Sequence, residues 1–162
     1  MNTVRSPGAR PPREPGALRL RAVDDEDLAV VAAFLQDSIA CVGEMAYLPD
    51  ERRFVLVVSR FCWERAVRED SEHLYDRVEC AVTVEGVDAP RFRGFKLRER
   101  SRLMPILTVR WQGDGLEITF GGGAALRLEA GALDLRMEDI GSCWPTRHKP
   151  EHGPEFGGSA PF

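Results

Sequence analysis

Nothing in the sequence approaches the roughly 20 consecutive apolar residues that a membrane-spanning helix needs. No apolar run follows Arg5, Arg10 and Arg13 at the start of the chain. A secretory signal is therefore not expected, and the expected location is the cytoplasm. Cysteine is sparse: Cys41, Cys62, Cys80 and Cys143 are widely spaced and form no Cys-x-x-Cys pair. Free thiols are expected, not a disulfide framework. Histidine is scarcer still, with three in 162 residues. No Ser-His-Asp or Cys-His arrangement can be assembled, so the chain leans away from enzymes of those kinds, and no cofactor is expected. A surplus of positive charge is missing too. The net charge is −4; the head contributes +2 (Arg5, Arg10 and Arg13 against Glu14) and the tail nothing (Arg147 and Lys149 against Glu151 and Glu155), which leaves −6 on the core. A globally acidic core argues against a generic nucleic-acid binder, which needs a basic field to recruit phosphate.

Proline is plentiful at the two ends. Pro7, Pro11, Pro12 and Pro15 lie in the head, and Pro145, Pro150, Pro154 and Pro161 in the tail. Proline donates no backbone N–H, so such segments rarely carry helix or sheet ladders. The expected organisation is a Pro/Arg-rich head over 1–17, one globular domain over 18–144, and a Pro/Gly-rich tail over 145–162.

Between the ends, period-two alternation dominates. Residues 18–23 alternate apolar and charged, as a half-buried strand does. Asp24 then caps a helix whose buried stripe is Leu28, Val31, Ala32 and Leu35, with Val23 and Leu28 placed to form a hydrophobic staple. The run Asp24-Asp25-Glu26-Asp27 suits the positive end of the helix dipole better than a metal site, because neighbouring positions do not converge on one point. Residues 39–48 and 53–61 form a hairpin around Pro49-Asp50-Glu51-Arg52. Pairing Leu48 with Arg53 sets Tyr47 opposite Phe54, Met45 opposite Leu56 and Gly43 opposite Val58. The other face, with Val42, Glu44, Ala46 and Leu48, is mixed. A short second helix is predicted over 62–70. Val78, Cys80, Val82 and Val84 alternate with Glu79, Ala81, Thr83 and Glu85, the clearest strand in the chain. Cys80 therefore reads as a small buried hydrophobe. A change of parity at Arg93-Gly94 predicts a β-bulge, with Phe92, Phe95 and Leu97 all inward. Further strands are predicted at 103–112, 116–120, 124–129 and 133–138, joined by the Asp114-Gly115 and Gly121-Gly122-Gly123 turns. The predicted fold is α+β and mainly antiparallel β. It has about eight or nine strands in a sandwich or curved half-barrel, with an N-terminal helix and a short second helix.

Four features could carry chemistry. The first is a basic run. If the strand continues past the bulge, Lys96, Arg98, Arg100 and Arg102 share one face, opposed only by Glu99. Such a ridge could meet an acidic protein patch or another polyanion. No aromatic is interleaved for base stacking, which counts against RNA. The plainer account is a solvated edge whose charges block strand-to-strand association. The second is Glu44, a carboxylate in an otherwise apolar strand. Buried in a pocket near Arg53 it would be a general acid or base candidate; solvated, it is structural. The third is the tail, where Cys143, His148 and His152 include a His-x3-His zinc spacing. Pro145 and Pro150 oppose the helix that this spacing requires. The fourth is the triple glycine, which leads into a strand and so reads as a turn and not as a phosphate cradle.

Two stretches resemble a known family. One is Val42-Gly43-Glu44-Met45-Ala46-Tyr47-Leu48-Pro49, followed by Arg52-Arg53-Phe54 and Arg60-Phe61-Cys62-Trp63-Glu64. The other is residues 121–129 with Asp139-Ile140-Gly141 and Trp144-Pro145-Thr146-Arg147. Together they resemble a bacterial family known only as a domain of unknown function, over about residues 18–152. The resemblance implies no activity, cofactor or catalytic residue. It implies aspartate in relatives at the position of Cys62, which argues against a thiol nucleophile there. The expectation is a non-catalytic binding or adaptor domain that uses a sheet face or the basic ridge. The alternative is a small-ligand binder or enzyme with a pocket beside Glu44.

Overall fold

Alternating apolar and polar residues become nine strands in the computed structural model, which describes residues 17–62 and 75–146. The order is β1 (Arg19–Ala22), α1 (Asp25–Leu35), β2 (Ile39–Leu48), β3 (Arg53–Phe61), β4 (Tyr75–Glu85), β5 (Val87–Arg93), β6 (Leu103–Trp111), β7 (Gly115–Phe120), β8 (Ala125–Ala130) and β9 (Leu135–Thr146). Neighbouring strands are antiparallel throughout, in the order β1-β9-β4-β3-β2-β6-β7-β8-β5. The fold is therefore α+β and mainly β, with a sheet that does not close into a barrel. Its two halves meet where β2 and β6 share three pairs, from Ile39–Pro105 to Cys41–Leu103. The predicted second helix falls, apart from Cys62, outside the described residues.

One apolar cluster draws on strands from both halves of the sheet. It takes Phe54, Leu56 and Val58 from β3, Val82 and Val84 from β4, Leu116 and Ile118 from β7, Leu126 and Leu128 from β8, and Leu135 and Met137 from β9. The helix α1 packs on β1, β3 and β6, burying Leu28, Val31 and Leu35. Its start is as expected: the Asp24 carboxylate accepts the Asp27 N–H at 2.8 Å, and Asp27 in turn accepts the Val23 N–H at 3.3 Å. Leu28 of the predicted staple is buried, while Val23 is 51% exposed. Replacing Asp24 with alanine leaves a first-turn N–H without its acceptor. The expected loss is about 1 kcal/mol of unfolding free energy, measured by urea titration.

The β2–β3 register is as predicted at Tyr47–Phe54, Met45–Leu56 and Leu48–Arg53. It shifts further along, so that Ala40 and not Gly43 opposes Val58. The irregularity between Ala40 and Met45 buries Val42 completely, although unbroken alternation would have placed it on the mixed face. Its cause lies far away in sequence. The Gly43 N–H donates to Arg100 O at 2.7 Å, and the Val42 N–H donates to Arg102 O at 3.0 Å. A Cβ on Gly43 would stand 2.8 Å from the Arg100 carbonyl oxygen, so only glycine admits this close approach.

The second departure is at Gly94. The strand β5 ends at Arg93, and residues 94–102 form a loop between β5 and β6. Gly94 has φ +74° and turns the chain, so the predicted bulge within a continuing strand is not formed. Phe95 is buried as expected, but Leu97 is 36% exposed. The loop is pinned from inside by a chain of rings. Phe54 and Phe92 lie 6.5 Å apart between centroids, Phe92 and Phe95 5.3 Å, and Phe95 and Phe120 5.9 Å. The last two contacts are edge-to-face, a geometry worth about 0.5–1.5 kcal/mol each beyond their burial.

Candidate functional site

The loop carries the basic run, and it changes the arrangement of that run. Because 94–102 is not a strand, Lys96, Arg98, Arg100 and Arg102 do not share a strand face. Two of them serve as anchors. Arg100 donates through Nη2 to Gly43 O at 3.0 Å, and Arg102 donates through Nη1 to Gly94 O at 2.7 Å and to Glu99 at 3.3 Å. The Lys96 backbone N–H donates to Glu99 Oε2 at 3.0 Å. That hydrogen bond, helped by Arg102 and Arg98, holds the Glu99 carboxyl below its ordinary range. The side chains of Lys96 and Arg98 are exposed and form no hydrogen bond or ion pair with any described residue. They flank the exposed Leu97. Beneath them a shallow groove runs between β5 and the loop, lined by Pro90, Phe92, Phe95, Lys96, Leu97 and Glu99 among others. The exposed edge on this side of the sheet is β5, the last strand in the sheet order. There Pro90 removes a donor, and Arg91 pairs with Glu129 at 2.5 Å.

The remaining candidates separate. Glu44 is exposed on β2 and lines neither that groove nor a second one on the outer face of β1, β9, β4 and β3. Arg53 lines the second groove, donating through Nε to Glu85 at 2.8 Å and through Nη1 to Glu51 at 2.6 Å. The two grooves share no lining residue among those described. Of the tail candidates, Cys143 falls on β9, while His148 and His152 lie outside the described residues. Strand β9 also runs past Trp144: Pro145 pairs with Asp76 and Thr146 with Tyr75. The triple glycine forms a short 3-10 turn between β7 and β8, as a turn reading requires.

One charged site was not singled out in the sequence. Arg60, wholly buried, grips Asp139 with two parallel hydrogen bonds, Nε to Oδ1 at 2.7 Å and Nη2 to Oδ2 at 2.6 Å. Its Nη1 donates to Phe61 O at 2.9 Å, and the guanidinium lies 5.7 Å from the centroid of the Phe34 ring. Asp139 also accepts the Leu18 N–H at 2.9 Å, and its own N–H donates to Leu18 O at 3.0 Å. The pair thus ties β3 to β9 and fixes the entry into β1. Burial pushes the neighbouring Cys80 thiol up to about 12; the Asp139 charge adds to this and the Arg60 charge opposes it. Cys80 is therefore a protonated core residue at neutral pH, not a nucleophile. A signal was present. Arg60 continues the inward parity of Phe54, Leu56 and Val58, and Asp139 that of Leu135 and Met137. Two opposite charges at inward strand positions need each other.

The family model described as a protein of unknown function (DUF2948) matches residues 18–152. The chain belongs to that family. Both members of the buried pair and the whole basic loop fall within the DUF2948 match. No curated protein and no solved structure matches the chain.

Proposed function

We propose that this protein is a non-catalytic binding domain of the cytoplasm that holds an acidic segment of a partner protein against the loop between β5 and β6. The observation that carries the reading is the division of labour among the loop's cations. Arg100 and Arg102 are spent on carbonyl oxygens and Glu99, while Lys96 and Arg98 project around Leu97 with no acidic group bonded to them. A pre-anchored loop loses little freedom on binding, which favours recognition by two charges and one apolar contact. The half-buried Phe92 and the exposed Leu97 offer apolar area beside the charges. The acidic core disfavours nucleic acid as the partner. The free thiols of Cys41 and Cys80 support a reducing compartment.

The test is a titration of a labelled peptide of alternating glutamate and leucine, read by fluorescence anisotropy. Exposed charges contribute about 0.5–1 kcal/mol each, so Lys96→Glu with Arg98→Glu is expected to weaken binding roughly tenfold. Raising the salt weakens the wild type in the same direction. Equal affinity of wild type and double variant would remove the proposal.

A further inference from the structure

The second groove carries an inference independent of the basic loop. Its floor is a straight cross-strand row, Val55–Thr83–Arg136–Arg21, running over β3, β4, β9 and β1. Arg21 and Arg136 are directly opposed in an antiparallel pair, an arrangement in which like charges repel. The structure relieves only one of them. Arg21 turns aside to Asp134, with Nε–Oδ1 at 3.0 Å and Nη2–Oδ2 at 3.2 Å. The other arginines of the groove are also matched: Arg53 holds Glu85 and Glu51, and Arg19 lies 3.9 Å from Glu138. Arg136 is exposed and bonded to no acid among the described residues. It stands over the half-buried side chains of Val55, Ala81 and Thr83.

The geometry points to an oxyanion site at Arg136. Phosphate or carboxylate oxygens take the guanidinium fork of Arg136 and the Thr83 hydroxyl. The adjoining methyl groups of Val55 and Ala81 receive a small apolar portion of the same ligand. A guanidinium bonds an oxyanion through two parallel N–H donors, the strongest neutralisation open to an arginine. A bound anion would also remove the Arg21–Arg136 repulsion, so binding and stability are coupled.

The experiment is an amide-shift titration of the full chain with inorganic phosphate and, separately, with acetate, each at constant ionic strength. The expected result is a saturable shift at Thr83 with at least one of the two. It is weakened at least fivefold in Arg136→Gln and unchanged in Lys96→Gln/Arg98→Gln, which separates it from the basic loop. The tighter of the two anions assigns the ligand as a phosphate or a carboxylate. Shifts reproduced by sodium chloride alone, shifts that survive Arg136→Gln, or no saturable shift at Thr83 with either anion would overturn the assignment. Arg136 is exposed and bonds no described acid, so its replacement leaves the fold available for the measurement.

Discussion

Arg60→Met is expected to lower the unfolding free energy by about 3–5 kcal/mol. The substitution keeps a long apolar stem but removes both guanidinium bonds to Asp139. The carboxylate is then left in a site where its side chain is 4% exposed. Water cannot replace the lost donors there, and desolvation sets the cost. Removing both charges tells the pair's cost from its value. In Arg60→Met/Asp139→Leu no charge is stranded, and the remaining losses are the hydrogen bonds to the Leu18 N–H and the Phe61 carbonyl, about 1 kcal/mol each. Urea titrations should therefore place the double variant well above the single one. A single variant within about 1 kcal/mol of wild type would mean that the pair is not enclosed as described.

Gly94→Ala should cost about 2–5 kcal/mol, from two sources that add. A φ of +74° penalises any Cβ by about 1–2 kcal/mol. The added carbon would also lie 2.7 Å from Gly123 O and 3.1 Å from Ala124 Cα. Those are backbone atoms of the β7–β8 turn, which cannot swing away as a side chain can, so overpacking adds about 1–3 kcal/mol. The effect should spread along the loop, because Arg102 holds the Gly94 carbonyl. Amide exchange at Val42 and Gly43, whose N–H groups donate to Arg102 O and Arg100 O, should quicken with the loss of stability. Unchanged exchange at both would show that the loop is held by other means.

These two sites mark where the sequence could be read and where it could not. The hairpin register at Tyr47–Phe54 follows from a proline-led turn between alternating runs, all within the continuous stretch 39–61. The helix at Asp24 and the hairpin at Asp114–Gly115 are legible for the same local reason. The shift of register around Gly43 is not local. It depends on backbone groups at Arg100 and Arg102, and nothing near Gly43 announces them. Alternation misled at the basic run, since Lys96, Arg98, Arg100 and Arg102 are spaced like one face of a strand. The positive φ of Gly94 and the burial of Phe95 turn that segment into an anchored loop. The consequence for the site is direct. A ridge of four equivalent cations becomes two anchors and two projecting charges. The buried pair was legible in parity but not in partnership, because parity points Arg60 and Asp139 inward and only the fold brings them together.

The most direct test of the binding account is to map the alternating glutamate–leucine peptide onto the full chain by amide shifts. The account predicts changes concentrated at residues 95–99 and the adjoining Phe92, requiring roughly tenfold more peptide in Lys96→Glu with Arg98→Glu. Changes located elsewhere, or unaltered by that double charge reversal, would contradict it.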